Sequence, residues 1–157
     1  MPSKNKLSLS VQYPDPRLEA VVTRPLLRRW VQAALLAPAE LAIRFVDKDE
    51  GRELNRDYRG KDYATNVLTF AYGEDEFDVK HGEVTRADLV LCTDVLSSEA
   101  QAQNKTLLAH VAHLVVHGVL HAQGYDHEND IEANEMEALE TEVLARLGFG
   151  NPYSVQP

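Results

Sequence analysis

A single cysteine, Cys92, rules out any internal disulfide. That suits a reducing cytoplasm, where thiols stay free. Cys92 ends an apolar run, so it reads as a small buried hydrophobe rather than a nucleophile. Long apolar runs are missing too: none approaches the ~20 residues that span a bilayer, so no membrane association is expected. The first residues, MPSKNKLSLSVQY, lack the basic-then-apolar pattern of a signal peptide, and a cytoplasmic protein is expected. Positive charge is scarce, with 16 Lys and Arg against 25 Asp and Glu and a net charge of −9. This argues against a uniformly basic surface for nucleic acid, but not against a local basic face. Such a face has to come from the first half. Residues 1–60 carry eleven Lys and Arg against eight Asp and Glu, and residues 61–157 carry five against seventeen.

What is present is an ordinary globular composition, 44% hydrophobic and 26% charged over 157 residues. That is enough for one domain, residues 1–157, with its own core, and no repeat or linker divides it. Residues 7–13, 40–47, 65–72 and 87–92 read as short strands. Residues 23–37 read as a helix, with Thr23 as N-cap and Pro25 in its first turn. Residues 48–59 form a polar helix with Leu54 inward, and residues 93–103, 105–123 and 132–147 complete the helices. Gly124 and Gly148 sit where C-terminal caps belong, and Asn129 stands before Glu132 as in a capping box. The acidic stretch 73–86 reads as a solvated loop, and its His81 has no assigned role. Strands mixed with helices, followed by helices alone, predict an α+β fold with one small mixed sheet of about four strands packed against helices.

Four of the chain's six histidines fall in HLVVHGVLHAQGYDH, residues 113–127. At about 100° per residue, His110, His113, His117 and His121 share one stripe of a helix, while Leu108, Val111, Ala112, Val115, Val116 and Val119 cover much of the rest. Such a helix is the central, buried one, and a stripe of imidazoles on it must be hydrogen-bonded or must bind something. His117 and His121 stand one turn apart, so both rings can reach one ion, and Gly124 lets the chain fold back to bring His127 to it. The spacing H-x-x-x-H-x-x-G-x-x-H matches the ligand skeleton of the metzincin proteases, except that Gly118 stands where they carry their glutamate base. One Zn2+ per chain is therefore expected, with an open position for water, and a peptidase is not. His113 lies a turn further from the bend and reads as a supporting or core residue. Asp126 either orients an imidazole or sits in the turn.

Together with LNRDYRGKDYATNVLTF, residues 54–70, the histidine segment resembles the YbeY family of bacterial metal-dependent endoribonucleases, the ribosomal RNA maturation factors. The likeness runs from about the second strand to the C-terminal GFGNPY. It implies a zinc held by His117, His121 and His127 at the end of a cleft, with Arg59 of YRGKD as the catalytic residue that works on the RNA. The implied activity is cleavage of single-stranded RNA in ribosomal RNA processing, notably at the 3′ end of the small-subunit RNA, and in ribosome quality control. The implied partners are ribosomal RNA, the ribosome or its small subunit, and associated proteins. The alternative is a non-catalytic assembly factor whose zinc only staples the C-terminal helices. Where the family usually has Gly-Asp before the last strand, this chain has Ala87-Asp88, which points to a slightly altered backbone beside the cleft.

Arg56, Arg59 and Lys61 form the densest basic cluster near a glycine, Gly60, and guanidinium forks match phosphate oxygens. Arg56 and Lys61 are accordingly the expected substrate-binding residues. A zinc ion beside an arginine suits phosphodiester hydrolysis. The competing reading of Arg59 is a surface ion pair with Asp57 or Asp62. Arg28, Arg29, Arg44 and Arg52 extend the candidate basic face, while Thr65 and Asn66 read as turn or capping residues, with contact to the substrate as the alternative.

Overall fold

The computed structural model describes residues 5–72 and 84–154. Strands β1 (Leu7–Gln12), β2 (Ala39–Val46), β3 (Val67–Tyr72) and β4 (Thr85–Cys92) form one sheet in the order β1-β2-β4-β3. The pairs β1–β2 and β2–β4 are parallel, and β3 runs antiparallel along the far side of β4. Around this mixed sheet lie α1 (Arg24–Ala34), α2 (Lys48–Arg59), α3 (Thr93–Ala102), α4 (Leu107–Ala122) and α5 (Asp130–Arg146). The α+β fold read from the sequence is the fold that forms. His81 and most of the acidic stretch lie outside the described residues.

Alternation along the strands gives the sheet two unequal faces. Ala39, Leu41, Ile43 and Phe45 of β2 join Ala87, Leu89 and Leu91 of β4 in the main core. The same core takes Leu27, Trp30 and Val31 from α1, Val115, Val116 and Val119 from α4, and Met136, Val143 and Leu144 from α5. The residues between them, Val46, Leu68 and Val90, face the other way and pack with Leu54 and Phe70. This smaller face explains how α2 can be so polar: Leu54 supplies its inward contact. Among the described residues, no helix is long and apolar enough to cross a membrane.

Local chemistry sets the ends of the elements. Thr23 Oγ1 accepts from the amide of Leu26 at 3.4 Å, the expected N-cap of α1. The helix stops at Ala34, short of 37, because Leu35 turns extended (ψ 133°) and Pro38 then disfavours a helical residue before it. Strand β4 runs unbroken through Ala87, which pairs with Leu41 on one side and Ala71 on the other. The altered backbone expected there is therefore absent: a methyl fits the core face of a regular strand. Cys92 is a buried free thiol beside Gly51, and burial raises its pKa.

Candidate metal centre

Helix α4 begins at Thr106, whose hydroxyl accepts from the amide of Ala109 at 3.1 Å. Val111, Ala112, Val115, Val116 and Val119 are fully buried, which fixes the rotation of the helix about its axis. His110, His113, His117 and His121 then line its remaining side. Gly118 shows how closely α4 is seated on the sheet: a Cβ there would meet Leu89 Cδ2 at 2.7 Å. The position that carries a glutamate in metzincins faces β4 here, with no room for a side chain. This is a packing reason for the glycine at that position, since a side chain there would have to displace Leu89.

The helix ends in a Schellman turn. Gly124 (φ 105°) donates to the carbonyl of His121 at 3.0 Å, and Tyr125 donates to that of Leu120 at 3.2 Å. The reversal brings His127 back beside the helix, with ring centres 5.6 Å from His117 and 6.2 Å from His121. The same turn points the Tyr125 carbonyl at Nδ1 of His121, 2.9 Å away. Asp126 serves the turn rather than an imidazole, because its Oδ1 accepts from the His127 amide at 2.8 Å.

The donor set fits a zinc ion. Nδ1 of His117 donates to Glu140 Oε2 at 2.8 Å, and Nδ1 of His121 donates to the Tyr125 carbonyl. Each Nδ1 therefore carries the proton, and each Nε2 keeps its lone pair, as in metal-ligating histidines. Separations are slightly wide. Three imidazoles sharing an ion at about 2.1 Å place their ring centres roughly 5 Å apart. Here they are 5.6 to 6.4 Å apart, and as placed no three His, Cys, Asp or Glu among the described residues close on one ion. Side-chain rotation on ion binding would have to close that gap, while the Nδ1 hydrogen bonds already set the orientation of the His117 and His121 rings.

Glu140 is completely buried in the third turn of α5. Burial raises its pKa, but hydrogen bonds from His113, His117 and Tyr153 outweigh that and hold it at about 2. Burial together with the neighbouring Glu140 carboxylate pushes the Tyr153 hydroxyl well above its ordinary value. Further up the stripe, Nε2 of His110 pairs with Glu99 at 2.9 Å, and Glu99 also accepts from Asn66 at 3.1 Å. Asn66, Glu99, His110, His113, His117 and Tyr153 line a cleft of about 390 Å³ along the stripe. Hollows of about 600 and 690 Å³ elsewhere are lined by no histidine, so size alone does not locate this chemistry.

Lys105 lines this cleft, whereas Arg56, Arg59 and Lys61 belong to α2 and the loop after it. Arg59 is the last residue of α2, exposed beside the left-handed Gly60 (φ 71°), and α2 packs on the opposite face of the sheet from α4. Asn55 is buried and ties the following loop through Tyr63 O at 2.7 Å. Asp62 pairs with Arg52 at 2.7 Å and Asp57 with Arg56 at 3.1 Å. Arg59 has no ion-pair partner among the described residues, so the surface pair with Asp57 or Asp62 is not formed. Lys61 is exposed. Asn66 sits in the turn into β3, where its Oδ1 accepts from the Val67 amide at 2.7 Å while its amide nitrogen donates to Glu99 in the cleft.

Sequence reading missed Glu140, Glu99 and Tyr153. For Glu140 a signal existed, since an acid sits in the apolar stripe formed by Met136, Val143 and Leu144. Comparison with known proteins bears on the whole chain. The family model described as Endoribonuclease YbeY matches residues 6–148. The endoribonuclease YbeY of Janthinobacterium sp. (strain Marseille) is 69% identical over 153 residues, 98% of each chain. That of Herminiimonas arsenicoxydans is 68% identical over 151 residues, 96% of this chain and 97% of the relative. The solution structure of TM1509 from Thermotoga maritima shares the fold at 22% identity, with a TM-score of 0.54, covering 93% of this chain and 99% of that one.

Proposed function

The chain belongs to the endoribonuclease YbeY family, and on that premise we propose that it cleaves single-stranded ribosomal RNA with one zinc ion held by His117, His121 and His127. The observation that carries the metal assignment is the pair of Nδ1 hydrogen bonds that leave Nε2 of His117 and His121 unprotonated. A bound zinc supplies a Lewis acid for a phosphoryl oxygen and a water of lowered pKa. The protein's own part is to hold three imidazoles on one side of the site and to leave the other side to water and substrate. Arg59, exposed and without an ionic partner among the described residues, meets charge developing on the phosphate. Arg56 and Lys61 bind neighbouring phosphates. Small-subunit RNA 3′-end maturation and ribosome quality control, in the cytoplasm and with the ribosome presenting the RNA, are the setting this reading favours.

The test is RNA cleavage by the zinc-loaded protein, with metal content measured on the same samples. Arg59→Ala should keep its zinc and its melting temperature while losing most cleavage of single-stranded RNA, on the order of 10²-fold or more for a lost charge stabiliser. Normal processing by that variant would return Arg59 to the surface and favour a zinc-stapled assembly factor without catalysis.

A further inference from the structure

The described residues contain one charged side chain with no exposed surface at all, the carboxylate of Glu140. Leaving an ion in such a place costs several kcal/mol unless its oxygens are matched, and an apolar residue would suit this stripe of α5 without that cost. The oxygens are matched, and unequally. Oε1 accepts from Nε2 of His113 at 2.7 Å and from the Tyr153 hydroxyl. Oε2 accepts from Nδ1 of His117 at 2.8 Å. Tyr153 belongs to the segment that follows α5, which is anchored by Phe149 against Trp30 and by Lys105 Nζ donating to the Pro152 carbonyl at 2.7 Å. With Oε1 occupied from two sides, the carboxylate cannot turn away from His117 without losing those bonds.

We infer that Glu140 is the positioning residue of the metal centre: its ionised carboxylate fixes His117 as the Nδ1–H tautomer, and Tyr153 holds that carboxylate in place, so that the C-terminal segment is part of the centre. This rests on the zinc reading above. His121 receives the same tautomer from a neutral carbonyl, so of the two only His117 is oriented by a charge-assisted bond.

The test separates positioning from simple support of the fold. In Glu140→Gln the amide cannot accept on both sides. Facing His117 with its NH2, it drives the ring to carry its proton on Nε2, the nitrogen the ion needs. In the metal-free protein, nitrogen NMR of His117 should report Nδ1–H in the wild type and a shift towards Nε2–H in the variant. In zinc-loaded protein, competition with a chromophoric chelator should show affinity roughly 10–100-fold weaker. Tyr153→Phe, which removes one hydroxyl from a half-exposed ring, should keep the tautomer and weaken zinc roughly fivefold. Glu140→Gln that folds, keeps the tautomer and holds zinc as tightly as the wild type overturns the inference. If Glu140→Gln does not fold, unchanged zinc affinity in Tyr153→Phe overturns it instead. A wild type that takes no zinc defeats the metal reading, and the tautomer measurement still decides the role of Glu140.

Discussion

His110 and His113 turn Nε2 to carboxylates, Glu99 at 2.9 Å and Glu140 at 2.7 Å, and their Nδ1 atoms are buried without a partner among the described residues. On the same side of the same helix, His117 and His121 are reversed. Nδ1 is tied, at 2.8 and 2.9 Å, and Nε2 has no partner among the described residues. Four histidines on one stripe thus divide into a closed upper pair and an open lower pair. Residue type and helix face are common to all four, so neither makes a ligand. What differs is which ring nitrogen the surroundings occupy. In the upper pair an acid takes the position an ion would need. In the lower pair an acid and a turn carbonyl take the opposite nitrogen and leave that position clear.

The largest effect should come from removing one histidine of each pair. His121→Ala should abolish zinc retention by protein purified without added metal, whereas His110→Ala should leave about one equivalent bound. Equal loss from both would erase the distinction between the pairs.

Chelation comes next. Because His127 lies beyond the turn at Gly124, an ion shared with α4 ties two segments together, and its removal should lower thermal stability. At free zinc 100 times the dissociation constant the stabilisation is about 3 kcal/mol, and it should be missing from His121→Ala. A melting curve indifferent to chelator in the wild type breaks the link between ligation and folding.

Gly118→Glu sharpens the comparison from the packed side of the helix. It restores the metzincin sequence, but Leu89 already occupies the space of its Cβ. The expected result is a loss of about 1–3 kcal/mol in denaturant unfolding, with no peptide hydrolysis gained. Peptidase activity in this variant would count against the seating of α4 on β4.

The smallest effect concerns the basic face, whose arginines are carried by α2 rather than by the histidine helix. RNA affinity should fall gently with salt, and Arg56→Glu should weaken binding and flatten the slope by roughly 0.7 for each phosphate no longer neutralised. Arg146→Glu, on the last turn of α5, should change neither. Dependence on Arg146 equal to that on Arg56 would mean that the RNA follows the helical side instead.

Much of this was legible in the chain because it is local. Alternation placed four strands, periodicity and capping residues placed five helices, and errors were confined to a few residues at their ends, as at Ala34. His117, His121 and His127 could be grouped because helix geometry and one glycine turn fix their spacing within eleven residues. Glu140 was less visible. The acid in an apolar stripe was there to be seen, but its partner His117 is 23 residues away. Periodicity says that such a residue faces inward, not what it meets there.

The order of residues along the chain thus settles the elements, the histidine stripe, the turn that returns His127 and the poverty of basic charge outside the first half. Packing in three dimensions settles which histidines are open, why position 118 is glycine and which acids the arginines already hold. Those outcomes depend on how α4 seats on β4 and meets α5, and on where α2 ends relative to the loop that follows. Spacing along a chain is set by bond geometry and repeats every turn. A hydrogen bond between elements exists only once packing has fixed their relative placement, and that placement is settled by the whole core at once.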